Sequence, residues 1–180
     1  MVNTQIVEAL RNNEDQLRSF FQGQIPSLWE VQPEGKWSAG QHVIHLVQST
    51  KPLLNALRLP DFILKWRFGA SNRPSRTYEE VIHRYEEKLS KVAPGVVGPF
   101  SRNMPVSPAK ESDTWLDQLS KLNGKLNNAT LKLSEKQMDT LLVPHPLMGK
   151  MTLREILMWN TYHTLHHVNV LQSKYQNQSK

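Results

Sequence analysis

Apolar positions recur at helical spacing through most of the chain, and punctuation divides them into five segments. The first runs from Asn3 to Leu28. Ile6, Leu10, Leu17, Phe20 and Phe21 share one face there, and Pro26 falls near the end. The second starts after Trp37 with Ser38 as N-cap and continues to Leu59; Pro52 is expected to kink it or end its regular part. The third covers Thr77 to Val92, with Thr77 as N-cap and Glu79 and Glu80 favourably placed in the first turn. The fourth runs from Ser112 to Leu133, capped by Ser112 or Asp113, with a stripe of Trp115, Leu119, Leu122, Leu126, Ala129 and Leu133. The fifth opens on Thr152, where Glu155 three residues on completes a capping box, and reaches Tyr175. No segment alternates with period two for long enough to predict a sheet. The pattern predicts an all-α fold: a four-helix bundle with an additional short helix in a crossover connection.

The longest connector, from Pro94 to Pro108, is too apolar for a free linker and is expected to pack along the surface. The 180 residues suit one domain, taken as 1–180, with a buried core. No repeat, low-complexity tract or Gly-rich phosphate loop interrupts it.

Composition narrows the chemistry. There is no cysteine, which excludes disulfides, thiolate metal sites, iron–sulfur ligation and a cysteine nucleophile. It also fits a reducing cytoplasm, the expected location. The first ten residues carry no basic region followed by an apolar run, so no signal peptide is expected. No stretch approaches the roughly 20 apolar residues of a membrane span. The net charge is +6, but the 22 Lys and Arg are dispersed among 16 acids. No basic block or stripe forms, so specific nucleic-acid binding is not expected.

The candidate chemistry lies in the histidines. On the last helix the inward stripe is Leu153, Ile156, Asn160, His163, His167 and Leu171. His163 and His167, four residues apart, share one face, the arrangement by which one helix offers two nitrogens to a metal ion. Polar groups at core positions need partners, and a metal or a buried hydrogen-bond network are the two alternatives. His166 falls at the rim of that face. The second helix offers His42 and His45. Its apolar face centres on Val43, Leu46, Val47, Leu53, Leu54 and Leu57; His45 lies almost opposite that face and His42 nearer its edge. Periodicity therefore does not select His45. His83 is expected in solvent, and His145, between two prolines, in a rigid structural loop. Glu155 is assigned to the helix cap and Asn160 to a satisfied core amide or a contact to a ligand. Trp37 and Trp159 are core residues or pocket walls. No residue is assigned as general base.

Three motifs carry a resemblance. Trp37-Ser38 followed, after six intervening residues, by His45-Leu46, the run from His145 to Glu155, and His163-x3-His167 together resemble the DinB/YfiT-like superfamily. The resemblance spans nearly the whole chain. It implies a four-helix bundle holding a divalent metal ion, nickel or zinc, on three histidines, which map by position onto His45, His163 and His167. One departure is His42, at a position where the family more usually has an aliphatic residue. Proteins resembling this family include metal-dependent hydrolases and S-transferases that use a low-molecular-weight thiol such as bacillithiol. The resemblance therefore implies a metal-dependent enzyme with a small-molecule substrate. A homodimer is expected. Two alternatives stand beside the enzyme: a non-catalytic metal or small-ligand binding bundle, with a closed coordination sphere, and a helical interaction protein, with a contiguous basic face and no metal.

Overall fold

The computed structural model describes residues 1–22, 26–33, 35–93, 96, 98–99, 101 and 104–175, the side chains of Pro26 and Ser27 excepted. Four long helices form the bundle: α1 (Asn3–Phe21), α2 (Ala39–Leu57), α5 (Ser112–Leu131) and α7 (Leu153–Tyr175). Each packs on two others, in the cyclic order α1, α7, α2, α5. The predicted short crossover helix is α4 (Tyr78–Ser90), which lies against α7. Two further short helices, α3 (Asp61–Phe68) and α6 (Glu135–Thr140), were not anticipated, and neither was a hairpin of β1 (Leu142–His145) and β2 (Gly149–Thr152).

The hairpin corrects the expectation of no sheet. Its strands are four residues each, too short for a period-two signal, although Val143 and His145 do face inward while Pro144 faces out. Its three-residue turn returns through Gly149 at φ 75°, the left-handed conformation that a glycine supplies without strain.

Helix ends follow their caps. Ser38 accepts from the Gln41 backbone N–H while the Gln41 side chain accepts from Ser38 N–H, and Thr77 with Glu80 repeats the pattern at α4. α7 begins as expected, with reciprocal Thr152–Glu155 hydrogen bonds, and ends at Tyr175. α1 stops at Phe21 rather than Leu28, because Gln22 is already extended; Pro26 opens a separate 3-10 turn to Trp29. Positions 23–25 of the expected first helix, and 94, 95, 97, 100, 102 and 103 of the long connector, lie outside the described residues. Pro52 neither ends nor divides α2, which continues to Leu57. α5 starts from a short 3-10 turn, so Ser112 is itself helical and does not cap.

The α5 face is rotated from the expected stripe. Leu116, Leu119, Asn123, Leu126, Asn127 and Thr130 are buried, whereas Trp115, Leu122 and Ala129 are only half-buried. Two buried asparagines use their amide as a donor: Asn123 donates to Glu14 at 2.9 Å, and on α1 Asn13 donates to the Thr161 carbonyl of α7 at 2.9 Å.

Two features fix the helices that carry the histidines. Trp29 packs on α2 at Gly40, where an added Cβ would lie 2.4 Å from the indole, so only glycine admits this approach. Glu155, fully buried, receives both guanidinium nitrogens of Arg73 at 2.5 and 2.8 Å, the Arg76 backbone N–H at 2.8 Å and the Arg76 guanidinium at 3.2 Å. Burial alone would push its carboxyl upward in pKa; the Arg73 hydrogen bond and the Arg76 and Thr152 N–H groups outweigh this and hold it low. Among the described residues no helix is long and apolar enough to cross a membrane.

Candidate metal centre

α2 and α7 meet with their histidines between them. The Nε2 atoms of His45 and His163 are 3.1 Å apart, and those of His163 and His167 are also 3.1 Å apart. The three residues offer ligand atoms that all lie within 4.8 Å of one another. His163 and His167 are buried, and His45 is half-buried. Periodicity disfavoured His45 because it faces away from the aliphatic core of α2. The structure shows what covers it instead: the α7 histidines, the Trp37 ring at 4.9 Å and Ser101, whose hydroxyl is 3.1 Å from His45 Nδ1.

His42 is brought to the same cluster but in a different role. Its Nδ1 lies 2.8 Å from Nδ1 of His167, on the ring edge that faces away from the Nε2 group. Its Nε2 lies 3.5 Å from the Tyr175 hydroxyl, which itself donates to the Trp37 carbonyl.

Burial sets the charge state of the cluster. Desolvation, followed by the neighbouring imidazoles, holds His163 and His167 well below the usual histidine pKa and lowers His42 to about 3. These side chains are neutral at pH 7 and keep a lone pair each. The donor set suits a divalent cation: imidazole is a normal ligand for zinc and nickel. Hydrogen bonds alone do not close the group, because His163 Nε2 can donate to only one of its two Nε2 neighbours. On the far edge of that ring, Nδ1 is buried with no partner among the described residues, and Asn160 Nδ2 is likewise without an acceptor. The expectation of a satisfied Asn160 amide therefore does not hold.

The histidines line a cavity of about 660 Å3. Its other walls are Trp37 from the loop before α2, Tyr85 and Leu89 from α4, Trp159 and Val170 from α7, and Val96, Pro99 and Ser101 from the long connector. The connector thus contributes a wall of the site. Trp159 is both wall and core, whereas Trp37 is half-buried and serves as a wall. Lys36 and Lys174 stand at the mouth, and no described lining residue carries a carboxylate. His145 also lines the cavity, on β1. Its Nδ1 accepts the N–H groups of Leu147 and Met148 at 3.1 and 3.0 Å, and desolvation lowers its pKa to about 4. His166 lines the rim, as its place on the helix implied, and His83 is exposed. Tyr175 and Arg73 were missed at the level of sequence. Tyr175 had a usable signal, standing eight residues and so two turns beyond His167 on the same face; Arg73 sits in a loop and had none.

The fold and this three-histidine geometry define a class. The chain belongs to the DinB superfamily, whose profile matches residues 9–171. Among solved structures it is similar to YfiT from Bacillus subtilis, described as a probable metal-dependent hydrolase with an unusual four-helix bundle topology. That similarity has a TM-score of 0.58 at 18% identity, over 96% of this chain and 86% of that one. No curated protein matches the chain significantly.

Proposed function

We propose that the protein is a metal-dependent enzyme in which His45, His163 and His167 hold one divalent ion, nickel or zinc, and that it acts on a small molecule as a thiol S-transferase or a hydrolase. The observation that carries this reading is the convergence of three imidazole side chains, from two helices, at the floor of an open cavity. A structural site would be closed by a fourth protein ligand, and no fourth His, Cys, Asp or Glu joins the group among the described residues. A divalent ion held there by His45, His163 and His167 would supply Lewis acidity, which lowers the pKa of a coordinated water or thiol.

The chain's own residues supply the rest. Trp37, Tyr85 and Trp159 exclude bulk water from the floor and offer apolar surface to a substrate. His145 keeps its Nδ1 occupied by two backbone donors, so its proton resides on Nε2, a neutral donor for a substrate oxygen. Lys36 and Lys174 at the mouth, with no carboxylate among the described lining residues, favour an anionic molecule. This polarity supports the S-transferase over the hydrolase, because low-molecular-weight thiols of the bacillithiol kind carry carboxylates.

Elemental analysis tests the site on protein purified without a metal-binding tag or chelator. The expected result is about one nickel or zinc ion per chain, lost in His163→Ala. Absence of metal from a folded wild-type protein would overturn the reading. Thiol consumption with an electrophilic acceptor, against ester or amide hydrolysis without thiol, then separates the two reactions.

A further inference from the structure

His42 is a buried, polar residue at the edge of the aliphatic face of α2, and its two ring nitrogens meet two different partners. The direction of each hydrogen bond can be worked out from one fixed end. The Trp37 carbonyl can only accept, so the single Tyr175 hydroxyl proton points to it. The Tyr175 oxygen then has only acceptor capacity left for His42, so the His42 proton sits on Nε2, 3.5 Å away. His42 Nδ1 is consequently a bare acceptor. The group facing it at 2.8 Å, His167 Nδ1, must carry the proton of that pair. A neutral imidazole holds one proton, so His167 Nε2 is left with its lone pair directed at His45 and His163.

We propose that His42 is a positioning residue: the chain Trp37 carbonyl, Tyr175, His42, His167 selects the Nδ1–H tautomer of His167 and fixes its ring so that Nε2 faces the metal position. The inference rests on the three-histidine reading of the site. An aliphatic residue at position 42 would fill the space but leave the His167 Nδ1–H without this acceptor. Partners of this kind orient a ligating imidazole and raise its basicity, and their removal typically costs about 10–100-fold in metal affinity.

The test combines tautomer and affinity. Two-bond proton–nitrogen correlation NMR on metal-free wild-type protein should place the proton of His42 on Nε2 and that of His167 on Nδ1. Zinc affinity of the folded protein should fall about 10–100-fold in His42→Leu, and His42→Asn should recover most of it, because the Asn side-chain oxygen can stand where Nδ1 accepts. Tyr175→Phe should weaken affinity in the same direction, and serves if His42→Leu does not fold. A merely packing role gives the opposite order, with Leu better than Asn. The proposal is overturned by that order, by unchanged zinc affinity in both His42→Leu and Tyr175→Phe, or by a proton found on His42 Nδ1. If the wild type binds no zinc, the metal reading falls by itself, and the NMR result alone decides whether His42 sets the tautomer.

Discussion

The Trp159 indole lies nearly parallel to the His163 imidazole, with ring centroids 4.6 Å apart and planes 19° apart. The same indole also meets His145 at 4.2 Å and Tyr85 at 5.8 Å. One side chain therefore ties the floor of the cavity to β1 and α4. Trp159→Ala should lower the unfolding free energy by about 3–5 kcal/mol, the usual cost of emptying a buried aromatic site. Urea denaturation of the metal-free protein measures it, and a loss below about 1 kcal/mol would show that the indole is dispensable packing.

Glu155 stands at the start of the helix that bears His163 and His167. Glu155→Gln leaves Arg73 without its bidentate carboxylate and weakens the hold of Arg76. Breaking a buried ion pair from one side costs about 3–5 kcal/mol; both arginines are partly exposed, so the lower end is expected. The same variant should also depress metal content, because the α7 entry is no longer held. Denaturation and elemental analysis together check both halves.

Acid sensitivity follows from His145. Its folded pKa of about 4 lies below the unfolded value of roughly 6.5. Between those values the unfolded chain binds the extra proton and the native one does not, so stability is complete above about pH 6.5 and falls as pH drops toward 4. The slope from this group is at most about 1.4 kcal/mol per pH unit. His145→Asn retains an acceptor for the Leu147 and Met148 N–H groups but cannot titrate. Its stability profile between pH 4 and 6.5 should be shallower than that of the wild type, measured by thermal or chemical unfolding without metal; parallel profiles would exclude His145 as a source.

At Gly40 the constraint is space. A Cβ there would sit 2.4 Å from two atoms of the Trp29 ring, and a ring cannot yield as a flexible chain end does. Gly40→Ala should cost about 1–3 kcal/mol by overpacking, although alanine is the better helix former. A stabilised variant would mean that Trp29 has an alternative seat.

The sequence made α7 legible from end to end because its signals are local: a capping box at Thr152 and Glu155, and two histidines one turn apart. It made α2 legible for the same reason through Ser38. His45 was another matter. Its place depends on which surfaces press on α2 from outside, and periodicity within one helix reports only the aliphatic side. The family motif supplied that position. The short helices and the hairpin were illegible because four to eight residues hold too few turns or alternations to stand out. The Arg73–Glu155 pair joins positions 82 residues apart, and nothing in either neighbourhood announces the other.

His45 and His163 are 118 residues apart in sequence yet meet at 3.1 Å. A chain with no cysteine has no disulfide with which to close so long a loop. An ion gripping both helices would close it reversibly, removing disorder from the unfolded chain much as a covalent bridge does, with the added feature that the bridge is set by ion supply. Thermal stability of this protein should then rise with free metal concentration, the mark of an ion that would act as a staple of the bundle.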